Sequence, residues 1–265
     1  MDPILPIDYQ NLRNAIAQRR YAEARRLSEE FNLMGNLLQH SVYEKDLELA
    51  KWALDQGIDV HSYYHGLTPF MRACQDGEED LARTILLHDL SQVNERTKGY
   101  GIWPNRTALI FASGAGNIRI ADLLLSYGAE INAQDDLGFT SLMAAAEGGH
   151  DGMIGFLHSR GGDVSCIDET GKRALSYAVE SGNTNAVALL LSYGMDINEP
   201  KPRDLSIPLW IAISRSNTEM LEFLLSHGAD PSWRSSFGED ASGYAERAGS
   251  PPRIRELLRE HNYRK

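Results

Sequence analysis

Apolar positions along this chain fall into short helical runs that come in pairs, and the pair recurs. In residues 107–132, Thr107-Ala108-Leu109-Ile110-Phe111-Ala112 carries apolar side chains at helical spacing, and Gly114-Ala115-Gly116-Asn117 interrupts it. A second run over 118–127 gathers Ile120, Ala121, Leu123, Leu124 and Leu125 on one side. Gly128 stops it, because the residue after a helix often needs a left-handed backbone that glycine adopts cheaply. A polar connection, Asn132-Ala133-Gln134-Asp135-Asp136-Leu137-Gly138, returns the chain to the next pair.

The same outline opens at Asn36, Thr68, Thr107, Thr140, Arg173 and Ile207, in steps of 32, 39, 33, 33 and 34 residues. A closing glycine follows the opening by 21 residues at Gly57, Gly128, Gly161, Gly194 and Gly228. A period near 33 predicts one small helix-turn-helix unit stacked on copies of itself. Such an array works as a surface, which favours binding over a catalytic pocket.

Thr68-Pro69-Phe70-Met71-Arg72-Ala73, Thr107-Ala108-Leu109-Ile110-Phe111-Ala112 and Ile207-Pro208-Leu209-Trp210-Ile211-Ala212 resemble the Thr-Pro-Leu-His-x-Ala opening of ankyrin repeats. Glu147-Gly148-Gly149-His150 and Ser226-His227-Gly228-Ala229-Asp230-Pro231 resemble that family's turn and closing motif. The resemblance covers residues 11–261. It implies an all-α solenoid of about eight helix-turn-helix repeats with projecting β-hairpin-like fingers, and negligible conventional sheet. The expected layout is a single array over 1–265, with an N-terminal cap at about 1–35, six central repeats over 36–239 and a C-terminal cap over 240–265. The ends suit capping, since Arg19, Arg20, Arg25, Arg26, Glu29 and Glu30 at one end and Arg253, Arg255, Glu256, Arg259 and Glu260 at the other make exposed outer faces polar.

Two departures from the family pattern stand out. The fourth position of each opening holds Gln39, Met71, Ile110, Met143, Ser176 or Trp210 instead of histidine, so the family's threonine–histidine hydrogen bond is missing. The third unit has Asp89 where the closing glycine is expected. An insertion follows around Lys98-Gly99-Tyr100-Gly101-Ile102-Trp103-Pro104-Asn105, read either as ordinary length variation or as a functional finger.

Charge narrows the choice of partner. The chain of 265 residues carries −11, but residues 247–265 hold six Lys/Arg against two Glu, a local +4 that leaves −15 on residues 1–246. An acidic body repels nucleic-acid phosphate and favours a protein with a basic patch, mainly through faster encounter. With no charged-then-apolar leader and no apolar run near the roughly 20 residues of a membrane span, the expectation is a cytoplasmic protein without membrane insertion, monomeric when free. The two cysteines, Cys74 and Cys166, lie in different units and suggest a reducing compartment.

Catalytic constellations are scarce. His61 and His65 are close enough to raise a metal site, but no cysteine or carboxylate completes a ligand set nearby, and the pair reads as a polar hairpin. Gly114-Ala115-Gly116 lacks the third glycine and preceding strand of a dinucleotide loop. No Gly-x-Ser-x-Gly elbow or phosphate-loop lysine occurs. The expectation is no catalysis, no cofactor and no metal.

A binding surface remains. The resemblance implies a concave face built from finger tips and the exposed side of each first helix. Matching tip positions include Tyr63, Tyr64, Tyr100, Trp103, Asp136, Phe139, Glu169, Lys172, Arg203, Trp233 and Phe237; matching helix positions include Met71, Gln75, Asp76, Met143, Glu147, Ser176, Glu180, Trp210 and Arg215. Loop aromatics suit interface anchors, and the long finger with Tyr100 and Trp103 is the leading candidate for partner contact. The leading expectation is a non-enzymatic adaptor or scaffold. The alternative is an inhibitor or immunity-type protein that blocks a basic active-site cleft of an enzyme or toxin.

Overall fold

The computed structural model describes residues 6–30, 37–98, 105–198, 207–235 and 238–262. They fall into two compact units, Met1–Glu130 and Ile131–Lys265. Each is a stack of helix pairs. Unit 1 holds α1 (Pro6–Ala17) with α2 (Tyr21–Glu30), α3 (Leu37–Tyr43) with α4 (Leu47–Asp55), α5 (Pro69–Gln75) with α6 (Glu79–His88), and α7 (Ala108–Gly114) with α8 (Ile118–Ser126). Unit 2 holds α9 (Ser141–Glu147) with α10 (Asp151–Ser159), α11 (Ala174–Ser181) with α12 (Thr184–Ser192), α13 (Pro208–Ser214) with α14 (Thr218–Ser226), and α15 (Ala241–Arg247) with α16 (Pro252–Asn262). The expected all-α architecture of eight pairs is observed, with only the isolated antiparallel bridges Tyr64–Leu67 and Arg96–Thr107 as β-structure among the described residues.

Helices of seven to nine residues, such as α7 and α8, are too short to stand alone in water. Burial holds them. In α8, Ile120, Ala121, Leu123 and Leu124 are all buried, and each large aliphatic removed from water contributes about 1.5–3 kcal/mol. The first helix of each pair is covered more fully still: in α9 every residue from Ser141 to Ala146 is buried. Its three alanines let neighbouring backbones approach.

Polar side chains tie one repeat to the next. Asn94, Asn132 and Asn198 each donate to the carbonyl of the following closing glycine, Gly128, Gly161 and Gly228, at 3.0, 3.2 and 2.7 Å. Each also accepts an N–H two residues further on, from Glu130, Asp163 and Asp230, at 3.0, 2.9 and 2.8 Å. A second set links the turns. Asn117 and Asn183 cap α8 and α12 through their carbonyl oxygens while donating to Gly77 O at 3.1 Å and Gly149 O at 2.7 Å in the preceding pair.

The third repeat breaks this pattern, as its sequence does. Asp89 has an extended backbone where five other repeats carry a left-handed glycine, and a 3-10 turn over Leu90–Asn94 follows in place of the usual closing loop. At the amino end, Asp46 joins the first helix pair to the second: it caps α4 at Leu49 N (3.1 Å) while accepting from Tyr9 Oη at 3.2 Å and Arg13 Nε at 2.8 Å.

Candidate interaction surface

The fingers of unit 2 are built on buried aspartates. Asp135 Oδ1 accepts from the Leu137 and Phe139 backbone N–H groups, both at 2.9 Å, and Asp168 Oδ1 accepts from Thr170 N at 2.8 Å and Lys172 N at 2.9 Å. A carboxylate satisfied by its own loop fixes the turn that follows. Tyr177 donates to the second oxygen of Asp168; burial first, and then this carboxylate, push the phenol well above its ordinary range.

These turns set two finger tips side by side. Glu169 N donates to Leu137 O at 2.9 Å across the fingers. At Gly138, φ +76°, there is no room for a side chain between them: a Cβ there would meet Asp168 Cα at 3.0 Å and Ile167 O at 3.2 Å. Leu137 and Ile167 sit on the adjoining backbones and are 45% and 41% exposed. Asp136 and Glu169 beside them are exposed as well. The result is an apolar pair set among carboxylates.

The first helices reach solvent mainly at their last turns. Glu147 ends α9 and is exposed; Asp76 caps α5 and is exposed. Glu180 in α11 is half-buried, bonded by Lys172 Nζ at 2.8 Å and approached by Arg215 at 3.7 Å. That places Lys172 and Arg215 in a small charge network with one shared acid.

Five expected contact residues lie elsewhere. Met71, Phe139, Met143, Ser176 and Trp210 are 0%, 4%, 1%, 0% and 3% exposed, so the expectation that they face a partner is corrected. The fourth position of the opening is buried at Met71, Ile110, Met143, Ser176 and Trp210, because a short helix covered by its pair partner and by a neighbouring repeat has little free face before its final turn. Phe139 turns inward onto Tyr177, ring centroids 5.1 Å apart. Trp210 packs on Tyr244 at 4.6 Å and meets the edge of half-buried Trp233 at 6.4 Å. Tyr100, Trp103, Arg203 and Phe237 lie outside the described residues, and with them the long finger singled out from sequence.

In unit 1 the tips are partly engaged. Tyr64 is exposed, with its ring edge against His65. Tyr63 is half-buried and donates to Glu95 Oε1 at 2.6 Å and Arg96 O at 3.0 Å, with Lys98 Nζ 4.3 Å above its ring. His61 does have carboxylate neighbours, contrary to expectation from sequence, but they come from the next repeat: Asp89 at Nε2 and Glu95 at Nδ1, each at 2.9 Å. Both ring nitrogens are thereby occupied, and among the described residues no group of His, Cys, Asp or Glu is arranged to hold a metal ion.

Repeat spacing alone does not single out Leu137 and Ile167. In the structure the two large apolar residues flanking Gly138 part, Phe139 buried and Leu137 exposed. Unit 1 also has an open groove of 850 Å³ floored by Ile16, Leu49 and Trp52 and rimmed by the ion pairs Arg13–Asp46 and Lys51–Glu48.

A family model described as ankyrin repeats (3 copies) matches residues 37–135 and 132–201, and one described as ankyrin repeat matches residues 204–236. Among solved structures the chain is similar to that titled crystal structure of human ASB11 ankyrin repeat domain, with a TM-score of 0.71 and 21% sequence identity. That match covers 84% of this chain and 96% of the other. At this identity the likeness is one of fold.

Proposed function

This chain belongs to the ankyrin repeat family, and from that premise we propose that it is a non-enzymatic adaptor that binds a partner protein through its finger tips and the exposed last turns of its first helices. Repeats of this family generally serve protein–protein interaction. The observation that carries the reading is the exposed pair Leu137 and Ile167 on adjoining fingers, with Asp136, Glu147 and Glu169 exposed in the same unit. Small apolar anchors within a polar rim are what an interface core needs.

The partner chemistry follows from the charges. A net −15 on residues 1–246 and exposed carboxylates near the apolar pair favour a partner segment of leucine-like side chains flanked by Lys or Arg. The same acidity disfavours nucleic acid. No helix among the described residues is long and apolar enough to cross a membrane. Both cysteines are free of disulfides, Cys74 buried and Cys166 half-buried, and we place the protein in a reducing compartment, the cytoplasm, as a free monomer.

The test is capture from native lysate followed by affinity measurement on a folded double variant, Leu137→Ser with Ile167→Ser. The reading expects the recovered partner to bind the variant at least about tenfold more weakly, as loss of a central anchor does. Unchanged affinity in a variant with wild-type melting would remove the tips from the interface. Loss of an enzymatic activity of the captured partner on binding would favour inhibition over scaffolding.

A further inference from the structure

At one joint between repeats histidine stands in place of asparagine. Gly57-Ile58-Asp59-Val60-His61 runs in phase with Gly128-Ala129-Glu130-Ile131-Asn132, so His61 stands where Asn132 and Asn198 stand. The next repeat has Asp89 at the closing-glycine position. The two departures meet in space. His61 Nε2 lies 2.9 Å from Asp89 Oδ2, and Nδ1 lies 2.9 Å from Glu95 Oε2.

The substitution changes the chemistry of the joint. An amide offers a donor and an acceptor at every pH in which proteins live. An imidazole facing two carboxylates can satisfy both only as the imidazolium, which donates from each nitrogen. The neutral ring keeps one N–H and turns a lone pair toward the other carboxylate.

We propose that His61 is a proton-operated latch between the second and third repeats, closed when the imidazole is protonated and loosened when it is neutral. The groups around it are fixed by the same network. Asp89 also accepts Ser91 N at 2.9 Å, and Glu95 also accepts the Tyr63 hydroxyl at 2.6 Å. Lys98 lies over the Tyr63 ring, and Arg96 supplies its carbonyl to Tyr63 and its guanidinium to Asn105 O. From its own loop, Asp59 Oδ1 accepts the His61 backbone N–H at 2.9 Å.

The direction of the switch follows. The hydrogen bond to Glu95, then that to Asp89, holds the imidazole above its ordinary value of about 6.5. A raised folded value means the stabilisation is complete below about pH 6.5 and is lost as pH rises through the higher folded value. Asp89 is shifted the other way: its bonds to Ser91, and then to His61, keep the carboxyl below its ordinary range. Its contribution is present above about pH 3.9 and is lost as pH falls through the lower folded value. The latch is therefore tightest between these limits and opens on the alkaline side, as pH rises through the raised folded value of the imidazole. The finger it anchors carries exposed Tyr64, so presentation of that tip shares the control.

Two measurements on the full chain test this. Hydrogen exchange of segments 57–66 and 88–97, corrected for base catalysis, is followed from about pH 5.5 to about pH 8.5, the span in which an imidazole changes charge. Wild type is expected to open about tenfold more at the alkaline end, the order of difference between a charge-assisted hydrogen bond and a neutral one. H61N, carrying the residue found at Asn132, is expected to stay flat. Nuclear magnetic resonance of the wild-type His61 ring is expected to give a midpoint above about 6.5, lowered by Asp89→Asn. A wild-type midpoint at or below that value, or a pH slope that H61N retains, overturns the latch.

Discussion

Asn198 holds Gly228 of the following repeat through a 2.7 Å hydrogen bond from its side-chain amide to the glycine carbonyl. The carbonyl oxygen of the same amide takes the Asp230 N–H at 2.8 Å. One side chain thus satisfies an acceptor and a donor of the loop that follows α14. Asn198→Ala removes both bonds, and because the site is solvent-accessible the expected loss is about 1–2 kcal/mol, read as a lower denaturant midpoint with an unchanged slope.

The converse is available one repeat earlier. Ser165 occupies the position of Asn132 and Asn198, and among the described residues its short hydroxyl makes no bond to the next closing loop. Ser165→Asn is expected to supply the missing tie and stabilise the protein by about 0.5–1 kcal/mol. A midpoint equal to or below wild type would show that this joint has a different geometry.

Two threonines at the same repeat position should respond oppositely to one change. Thr68 Oγ1 caps α5, accepting Met71 N at 3.2 Å, whereas Thr107 Oγ1 is buried without a hydrogen-bond partner. Thr68→Val is expected to cost about 1 kcal/mol through loss of the cap. Thr107→Val replaces a buried unsatisfied hydroxyl by a methyl of similar size and should be neutral or stabilising by up to about 1 kcal/mol. Thermal melting of the two variants side by side decides it. Equal losses would mean that Thr107 has a partner in solution.

The repeat itself was legible because the signals were redundant: glycines such as Gly128, Gly161 and Gly194 agree in phase with the apolar runs, and all three take the left-handed backbone. Which faces of those helices are covered was not legible. Helical spacing separates apolar from polar, but Met71 and Met143 are buried by what packs around their helices, a fact set by tertiary structure rather than by period. The carboxylates around His61 were hidden for a different reason, lying 28 and 34 residues away, one repeat along the chain. Likewise Leu137 and Ile167 become neighbours only when adjacent fingers pair.

Burial turns former interface candidates into stability candidates. Trp210, packed on Tyr244, should cost about 3–5 kcal/mol on truncation to alanine, and Met143 about 2–5 kcal/mol. Both variants are expected to bind a partner normally at temperatures where they remain folded. Retained melting with lost binding would return these side chains to the surface.

The acidic rim should act on encounter more than on residence. Glu147 and Glu169 are exposed and make no ion pair among the described residues, unlike Glu180, which Lys172 and Arg215 already neutralise in part. Charges at a rim steer diffusion over a Debye length of about 8 Å at physiological salt, and changing them moves the association rate more than the dissociation rate. The double variant Glu147→Lys with Glu169→Lys is therefore expected to slow association with a basic partner by about tenfold at low salt. The difference should shrink as salt is raised, because screening removes the attraction from wild type and the repulsion from the variant. Stopped-flow association at several salt concentrations measures both effects. A variant that associates as fast as wild type would mean that the partner meets another face, and a change confined to dissociation would mean that these carboxylates are buried in the complex.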